Sequence, residues 1–414
     1  MSVIDYKNLK IGGIFLVSGQ VFQALLAFGV NLVLVRFISP GEFGRFALIL
    51  AGASIVYSII SPRINFLIIR MPESDYNDKM KDMLFSAMAL ETLAATLIIT
   101  VWLIVTGHAG LWEIVLVGAV GLRHWTDLNK AFYERTMPYR QLAVVETGAS
   151  GGGHLLALAM VLGGLGWVTL FVREVVISFI NLFGLWRVGG MTLYRLRLLT
   201  LTEWLALYKD ARGVWLDGVM EGNFQRLTIL LAGWFGGEAT AGLFFQAQRL
   251  AFVPHQVLSP VIYRILTNWF GRTEDAKARR EGRNKVLLFL FPPLLLAGIL
   301  TVLFADPVVP WLFGESWARA ADILVAMFGM VSFCTLFETL KSYCLTTRQS
   351  VTLFGGRVVQ YIGLLVPTAA GFAGWLSADI ALAMGLSIAY FLAFLFIFMV
   401  LHLKESGAGA IPRR

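Results

Sequence analysis

Runs of about 20 apolar residues recur along the whole of this 414-residue chain. That is the length a helix needs to cross the hydrocarbon core of a bilayer. The chain is 57% hydrophobic and only 14% charged, where a soluble domain carries about 25% charged residues. No aqueous core could bury so much apolar length. The chain is therefore expected to be an all-α, polytopic membrane protein, because a helix satisfies its backbone polar groups within itself. About twelve spans can be read by this criterion. They lie near 11–38, 43–69, 81–106, 111–134, 139–163, 165–188, 212–234, 239–267, 285–305, 319–343, 350–371 and 376–402. Residues Met1–Lys10 are polar and the first apolar run is a full span, so no cleavable signal is expected.

The connections alternate in character. Those after odd spans are short and Gly-rich, such as Gly107-His108-Ala109-Gly110 and Gly163-Gly164. Those after even spans are polar and basic. Most of the 34 Lys and Arg lie in the even loops and the tails, which places both termini in the cytoplasm by the positive-inside rule. On that orientation Trp102, Trp112, Trp167, Trp234, Trp311, Trp317 and Trp375 fall at the outer interface as an aromatic belt. The segment Met191–Arg212 mixes Leu, Tyr and Trp204 with Arg195, Arg197 and Lys209, a pattern that suits the membrane surface. Residues 273–285 read as a solvated basic loop or a helix extension, and 305–320 as a short outer turn.

Two stretches echo each other about 200 residues apart, as an internal duplication does. One is the turn Pro40-Gly41-Glu42-Phe43-Gly44 followed by Phe46. The other is Gly236-Gly237-Glu238, then Ala241-Gly242 followed by Phe244. With the 191–211 linker between them, two halves are expected: an N-terminal lobe over 1–190 and a C-terminal lobe over 212–414.

A charge within a span costs about 2.5–3.5 kcal/mol on insertion scales, so it usually faces a cavity or a partner. Arg63, Arg123, Arg173, Arg226, Arg249 and Arg264 stand in spans, with the acidic residues Glu91, Asp127, Glu146, Glu174, Asp217, Glu221 and Glu338. Each has a bland reading. Arg123 and Asp127, four apart, can neutralise each other, and Glu338 can pair locally with Lys341. Arg173 and Glu174 are adjacent and point about 100° apart, so no pairing is expected between them. Arg264 lies near a helix end and can snorkel. Arg63 differs: it follows Pro62, and a Pro-broken charged helix is tolerated where it lines a cavity. Arg226 and Arg249 are read the same way. Asp217 and Glu221, four apart, repel as like charges and suit a proton or cation site, or else simply face water.

Gly148 and Gly152 suit close helix packing, and the run that holds them lacks the lysine of a phosphate loop. Cys334 and Cys344 lie about 15 Å apart along a helix, too far for a disulfide. No His or Cys pattern has metal spacing, so no cofactor is expected beyond a coupling ion, proton or sodium.

Three segments carry a resemblance to a known family: 34–44 (LVRFISPGEFG), 230–250 (LLAGWFG through GLFFQAQRL) and 311–321 (WLFGESWARAA). The chain resembles the Wzx-type polysaccharide flippases of the multidrug/oligosaccharidyl-lipid/polysaccharide (MOP) superfamily. That resemblance implies two six-helix lobes forming a MATE-like V around a central cavity, with alternating access. It implies a polyprenyl-pyrophosphate-linked glycan as cargo, surface or exopolysaccharide biosynthesis, and the bacterial inner membrane. Polysaccharide polymerases and other assembly proteins would be its partners, and nucleic acid would not.

The expected roles are Arg63, Arg226, Arg249 and Arg123 for the pyrophosphate or an acidic sugar, and Glu221 and Asp127 for coupling. One departure stands out: such proteins often have an acidic residue before the basic one in span 7, and here it is Gln225-Arg226. The alternatives are a cation-coupled drug exporter, a peptidoglycan-precursor flippase, and a non-transporting component of a synthesis complex. A membrane glycosyltransferase would need a sizeable extramembrane catalytic loop, and none is read here.

Overall fold

A computed structural model describes residues 6–136, 139–273 and 275–407, and every described element is helical. In order they are α1 (Tyr6–Phe37), α2 (Pro40–Ile60), α3 (Ile64–Arg70), α4 (Asp78–Val105), α5 (Leu111–Glu134), α6 (Tyr139–Leu162) and α7 (Val168–Arg187). There follow α8 (Leu201–Arg272), α9 (Ala276–Phe313), a 3-10 turn at Glu315–Trp317, α10 (Arg319–Ala326), α11 (Phe328–Thr346), α12 (Ser350–Phe372) and α13 (Ala378–Gly407). By length and composition, eight described helices can cross a membrane, or nine with the bent pair α10–α11. One of these, Trp215–Leu258, is 44 residues long and breaks at Gly237, whose φ of 74° and ψ of −171° are open only to glycine. It is therefore two helices joined at a kink. Helices α5 and α6 have 24 residues each, about 36 Å and long enough to span.

The chain packs as two units, Met1–Leu230 and Leu231–Arg414. In the first, α1 packs on α6, α6 on α7, α7 on α5 and α5 on α4. The small residues of the GASGGG run explain one of these seams. A β-carbon at Gly152 would meet Ile180 Cδ1 at 2.9 Å. Gly148, the other residue expected at the seam, faces open space; Gly153 contacts Ile177 instead.

The hairpin between α1 and α2 is tighter than the sequence suggested. Ser39 caps α2 by accepting from the Glu42 amide, Glu42 accepts in return from the Ser39 amide at 2.9 Å, and Pro40 occupies the first turn. The stretch expected to be the turn, Pro40–Gly44, is thus the start of the helix. The matching positions in the second unit are buried alike: Phe43 and Ala241, Gly44 and Gly242, Phe46 and Phe244.

The span expected over 43–69 is two helices. Pro62 has no amide proton and its ring excludes the helical bond. Helix α2 ends with the Ser61 amide donating to the Tyr57 carbonyl at 2.9 Å. Arg63 then takes the left-handed conformation (φ 59°, ψ 47°), and α3 begins. The far end of α3 is held by Arg135, which donates to the carbonyls of Ile68 (2.5 Å) and Met71 (2.8 Å) and pairs with Glu73.

The segment 191–200 is extended and stapled to the first unit. Asn129 donates to the Thr192 carbonyl at 2.8 Å, and the amides of Arg195 and Arg197 donate to Asp82 (3.0 Å) and Ser86 (2.9 Å). Leu193, Leu196, Leu198 and Leu201 stay exposed, while Leu207 joins the core of Ile64, Phe85, Met88 and Phe132.

In the second unit, α12 lies against α13. A β-carbon at Gly363 would lie 2.8 Å from the Ala389 Cα, so the helices meet backbone to backbone. Helix α9 starts at Ala276, capped by Asp275, and runs through Pro307 and Pro310 to Phe313. The basic stretch is therefore a helix extension. Arg283 within it is fully buried rather than solvated, held by Glu405 at 2.8 Å. The expected outer turn is mostly helix. Trp317 is fully buried with its ring 6.2 Å from Phe313, so it is a core residue and not part of a belt; Trp234, Trp311 and Trp375 are exposed. Cys334 and Cys344 are buried free thiols.

Two predictions follow from the packing. Arg135→Ala removes charge-assisted bonds to two carbonyls, each worth about 1.5–3 kcal/mol. It should lower the melting temperature of the protein in detergent and expose 63–76 to limited proteolysis. At the start of α8, the Thr200 amide first, and then Arg197, hold the Glu203 carboxyl below the ordinary range. A depressed carboxyl stabilises above its unfolded value and loses that contribution as pH falls through the folded value. Protection of the amides at 201–204, corrected for the intrinsic pH dependence of exchange, should therefore fall on acidification, and Glu203→Gln should remove that change.

Candidate functional site

The break between α2 and α3 positions the charges of the first unit. Left-handed backbone is uncommon for a residue with a β-carbon and marks strained, functional positions. At Arg63 it is secured locally. The Arg63 amide donates to the Ser61 hydroxyl at 3.2 Å, and its carbonyl receives the Phe66 amide at 2.9 Å. The hydroxyl of Tyr208 donates to the Ile60 carbonyl, and Trp215 Nε1 donates to the Ile59 carbonyl at 3.1 Å. The first part of α8 is thereby fastened to the end of α2.

The Arg63 guanidinium lies directly on Gly218, occupying the space a side chain there would fill. Arg226 is one helical turn beyond Gly222. A β-carbon at Gly222 would stand 3.4 Å from Arg226 Nη1 and 3.9 Å from Arg63 Nη2, with the Ser58 hydroxyl at 4.0 Å. The two guanidinium groups thus converge on one glycine face of α8. Glu221, Asp217 and Glu91 lie in the field of Arg63, and Arg63 in that of Arg226. Arg63 Nε is buried without a hydrogen-bond partner. This spacing of Gly218, Glu221, Gly222 and Arg226 could have been read from the sequence; what could not was that Arg63 fills the glycine gap.

The remaining charges of the unit fall into separate groups. Glu91 pairs with His124 at 2.8 Å. Arg123 pairs with Glu174 at 3.3 Å rather than with Asp127. Contrary to expectation, Arg173 does bond its neighbour Glu174, through Nε at 3.1 Å and Nη2 at 2.9 Å. A long arginine side chain can bend around the helix to reach a carboxylate that Arg123 approaches from α5. Asp127 is exposed and pairs with Lys130 at 3.4 Å, and Lys130 with Glu146 at 2.8 Å. Arg45 pairs with Glu113 at 2.7 Å.

In the second unit, Arg249 lies over the Phe245 ring at 5.6 Å. Glu338 pairs with Lys341 at 2.5 Å, as expected, and also approaches Arg357 at 3.9 Å. The Arg264 side chain lies outside the described residues. Among the described residues no group of three or more His, Cys, Asp or Glu could hold a metal ion.

The comparisons agree with this architecture. A family model described as "Polysaccharide biosynthesis protein" matches residues 33–322. The succinoglycan biosynthesis transport protein ExoT of Rhizobium meliloti is 24% identical over 341 residues, 80% of this chain and 67% of that protein. Among solved structures, an inward-facing multidrug resistance MATE family transporter of the MOP superfamily is similar with a TM-score of 0.69. Its sequence identity is 14%, over 97% of this chain and all of that one. The lipid II flippase MurJ, in an inward closed conformation, is similar with a TM-score of 0.72 at 10% identity, over 94% of this chain and 87% of that one. The fold is thus the polytopic MATE-like one. The chain belongs to the polysaccharide biosynthesis protein family.

Proposed function

We propose that this protein flips a polyprenyl-pyrophosphate-linked oligosaccharide from the cytoplasmic to the periplasmic leaflet of a bacterial inner membrane, with both termini cytoplasmic. The observation that carries this reading is the convergence of Arg63 and Arg226 on the Gly218–Gly222 face of α8. Two guanidinium groups side by side inside a membrane-spanning unit repel each other, and desolvation adds to the cost. An anion with several oxygens relieves both costs. Guanidinium groups match phosphate oxygens in bidentate geometry, and glycine at 218 and 222 lets the two arginine side chains lie against the helix. Arg249, over Phe245, is the candidate in the second unit for a further phosphate or acidic-sugar contact. Arg123 is a lesser one, since Glu174 already engages it. Glu221 is the coupling carboxylate closest in effect to Arg63, whereas Asp127 couples only through Lys130. A proton or sodium ion would drive the cycle. A polymerase and other assembly proteins would receive the glycan. A drug exporter for cationic cargo is disfavoured by the same pair of arginines.

Arg63→Gln and Arg226→Gln should each lower surface polysaccharide at normal expression, with lipid-linked oligosaccharide accumulating on the cytoplasmic face of sealed vesicles. Normal export in both variants would sink the pyrophosphate reading. Arg63→Gln and Glu221→Gln should also be non-additive in thermal stability, with a coupling of about 1 kcal/mol. Additive effects would separate Glu221 from the site.

A further inference from the structure

The extended segment 191–200 has two different sides. Its inner side packs on the first unit, Tyr194 against the rings of Phe85 and Phe132 and Leu199 against the same core. In an extended chain the neighbouring residues point the other way. Leu193 and Leu198 are 80% and 97% exposed, and Leu196 between them is exposed as well. The first turns of α8 continue this outer side. Leu201 and Leu205 are exposed and four apart on one helix face, and exposed Lys209 follows at the same spacing. Arg195 and Arg212 are exposed too, against one exposed acid between 191 and 212, Asp210. The other acid, Glu203, is engaged by Arg197 at 2.9 Å.

The depth of the segment follows from α4. Residues 83–105 carry a single charge, Glu91. As helix they measure about 35 Å, close to a hydrocarbon core of about 30 Å. Asp82 therefore stands at the edge of that core. The segment is fastened at this level, the Arg195 amide donating to Asp82 at 3.0 Å and the Arg197 amide to the Ser86 hydroxyl at 2.9 Å. Non-helical backbone does not sit against hydrocarbon, where nothing satisfies its polar groups. A segment held at the edge meets both demands, with its backbone toward headgroups and water and its leucines toward the acyl chains.

We propose that the leucine face of 193–205 is an anchor seated in an anionic phospholipid surface, with Arg195, Lys209 and Arg212 on the headgroup phosphates. Charge complementarity selects this occupant. Basic groups beside an apolar face match a surface that offers acyl chains below and negative charge above. A protein partner covering the same face would bury three cations with the leucines, and each would need its own carboxylate. The anchored residues lead directly into the part of α8 that Tyr208 and Trp215 fasten to the end of α2. The anchor thus fixes the level in the bilayer at which that part of α8 begins. It is independent of what the protein carries.

The test uses full-length protein in nanodiscs with a bimane fluorophore on Leu198→Cys, the native Cys334 and Cys344 being buried. Quenching by phospholipid brominated on its acyl chains places the fluorophore in the bilayer, and quenching by iodide places it in water. The nanodiscs hold equal amounts of phosphatidylglycerol and phosphatidylcholine, with one of the two brominated at a time. Brominated phosphatidylglycerol should quench more strongly by about fivefold, the preference that roughly one basic residue confers near an anionic surface. Arg195→Gln, Lys209→Gln and Arg212→Gln together should bring the two lipids level. Thermal stability should be kept, because Arg195 bonds Asp82 through its amide. High salt should level the two lipids in the unsubstituted charge background as well. Iodide quenching without lipid quenching puts the face in water and overturns the proposal. Shielding from both quenchers puts protein over the face and overturns it too. Equal quenching by the two phospholipids from the outset keeps the leucines in the bilayer but refutes recognition of anionic headgroups, and with it the proposal.

Discussion

The constraint on which this structure depends is that a helix in lipid must satisfy its backbone and its charges from within the protein. Every irregularity in the first unit shows how that is met. Pro62 ends α2, and the Ile60 and Ile59 carbonyls before it are taken up by Tyr208 and Trp215, both from α8. Arg135, just past α5, holds the far end of α3, so α2, α3, α5 and α8 are tied together around the break. Here the kink also presents Arg63 to the glycine face of α8.

The same requirement sorts the charges. Arg45–Glu113, Arg173–Glu174–Arg123 and Arg283–Glu405 are closed pairs or triads at 2.7–3.3 Å. A direct ion pair to a largely buried carboxylate leaves little to offer a ligand. Arg63 and Arg226 are arranged differently. Acidic residues lie in the field of Arg63, but the arginines face each other, and Arg63 Nε has no partner. The distinction between closed and open charge is what separates structural arginines from candidate binding ones in this chain.

Much of this was legible in the sequence because spans and loops follow from hydropathy and charge bias alone. Phe46 and Phe244, which the sequence sets against each other, are both buried after buried glycines. What was not legible depends on side chains from other helices. Trp317 reads as an interfacial residue until Phe313, carried on a helix that continues past Pro307 and Pro310, covers it. Arg173 and Glu174 look divergent on a helical wheel, but a third residue, Arg123, draws their side chains together. Asp127 looked like a partner for Arg123, and Lys130 engages it instead. The Glu91–His124 pair involves residues 33 positions apart on two helices, and no local spacing announces it.

Ser61 closes α2, and Arg63, two residues on, reaches the glycine face of α8 from a left-handed backbone. That conformation sacrifices local backbone comfort to point one side chain at α8, and the surrounding hydrogen bonds to Ile59, Ile60, Ile68 and Met71 keep that choice from relaxing.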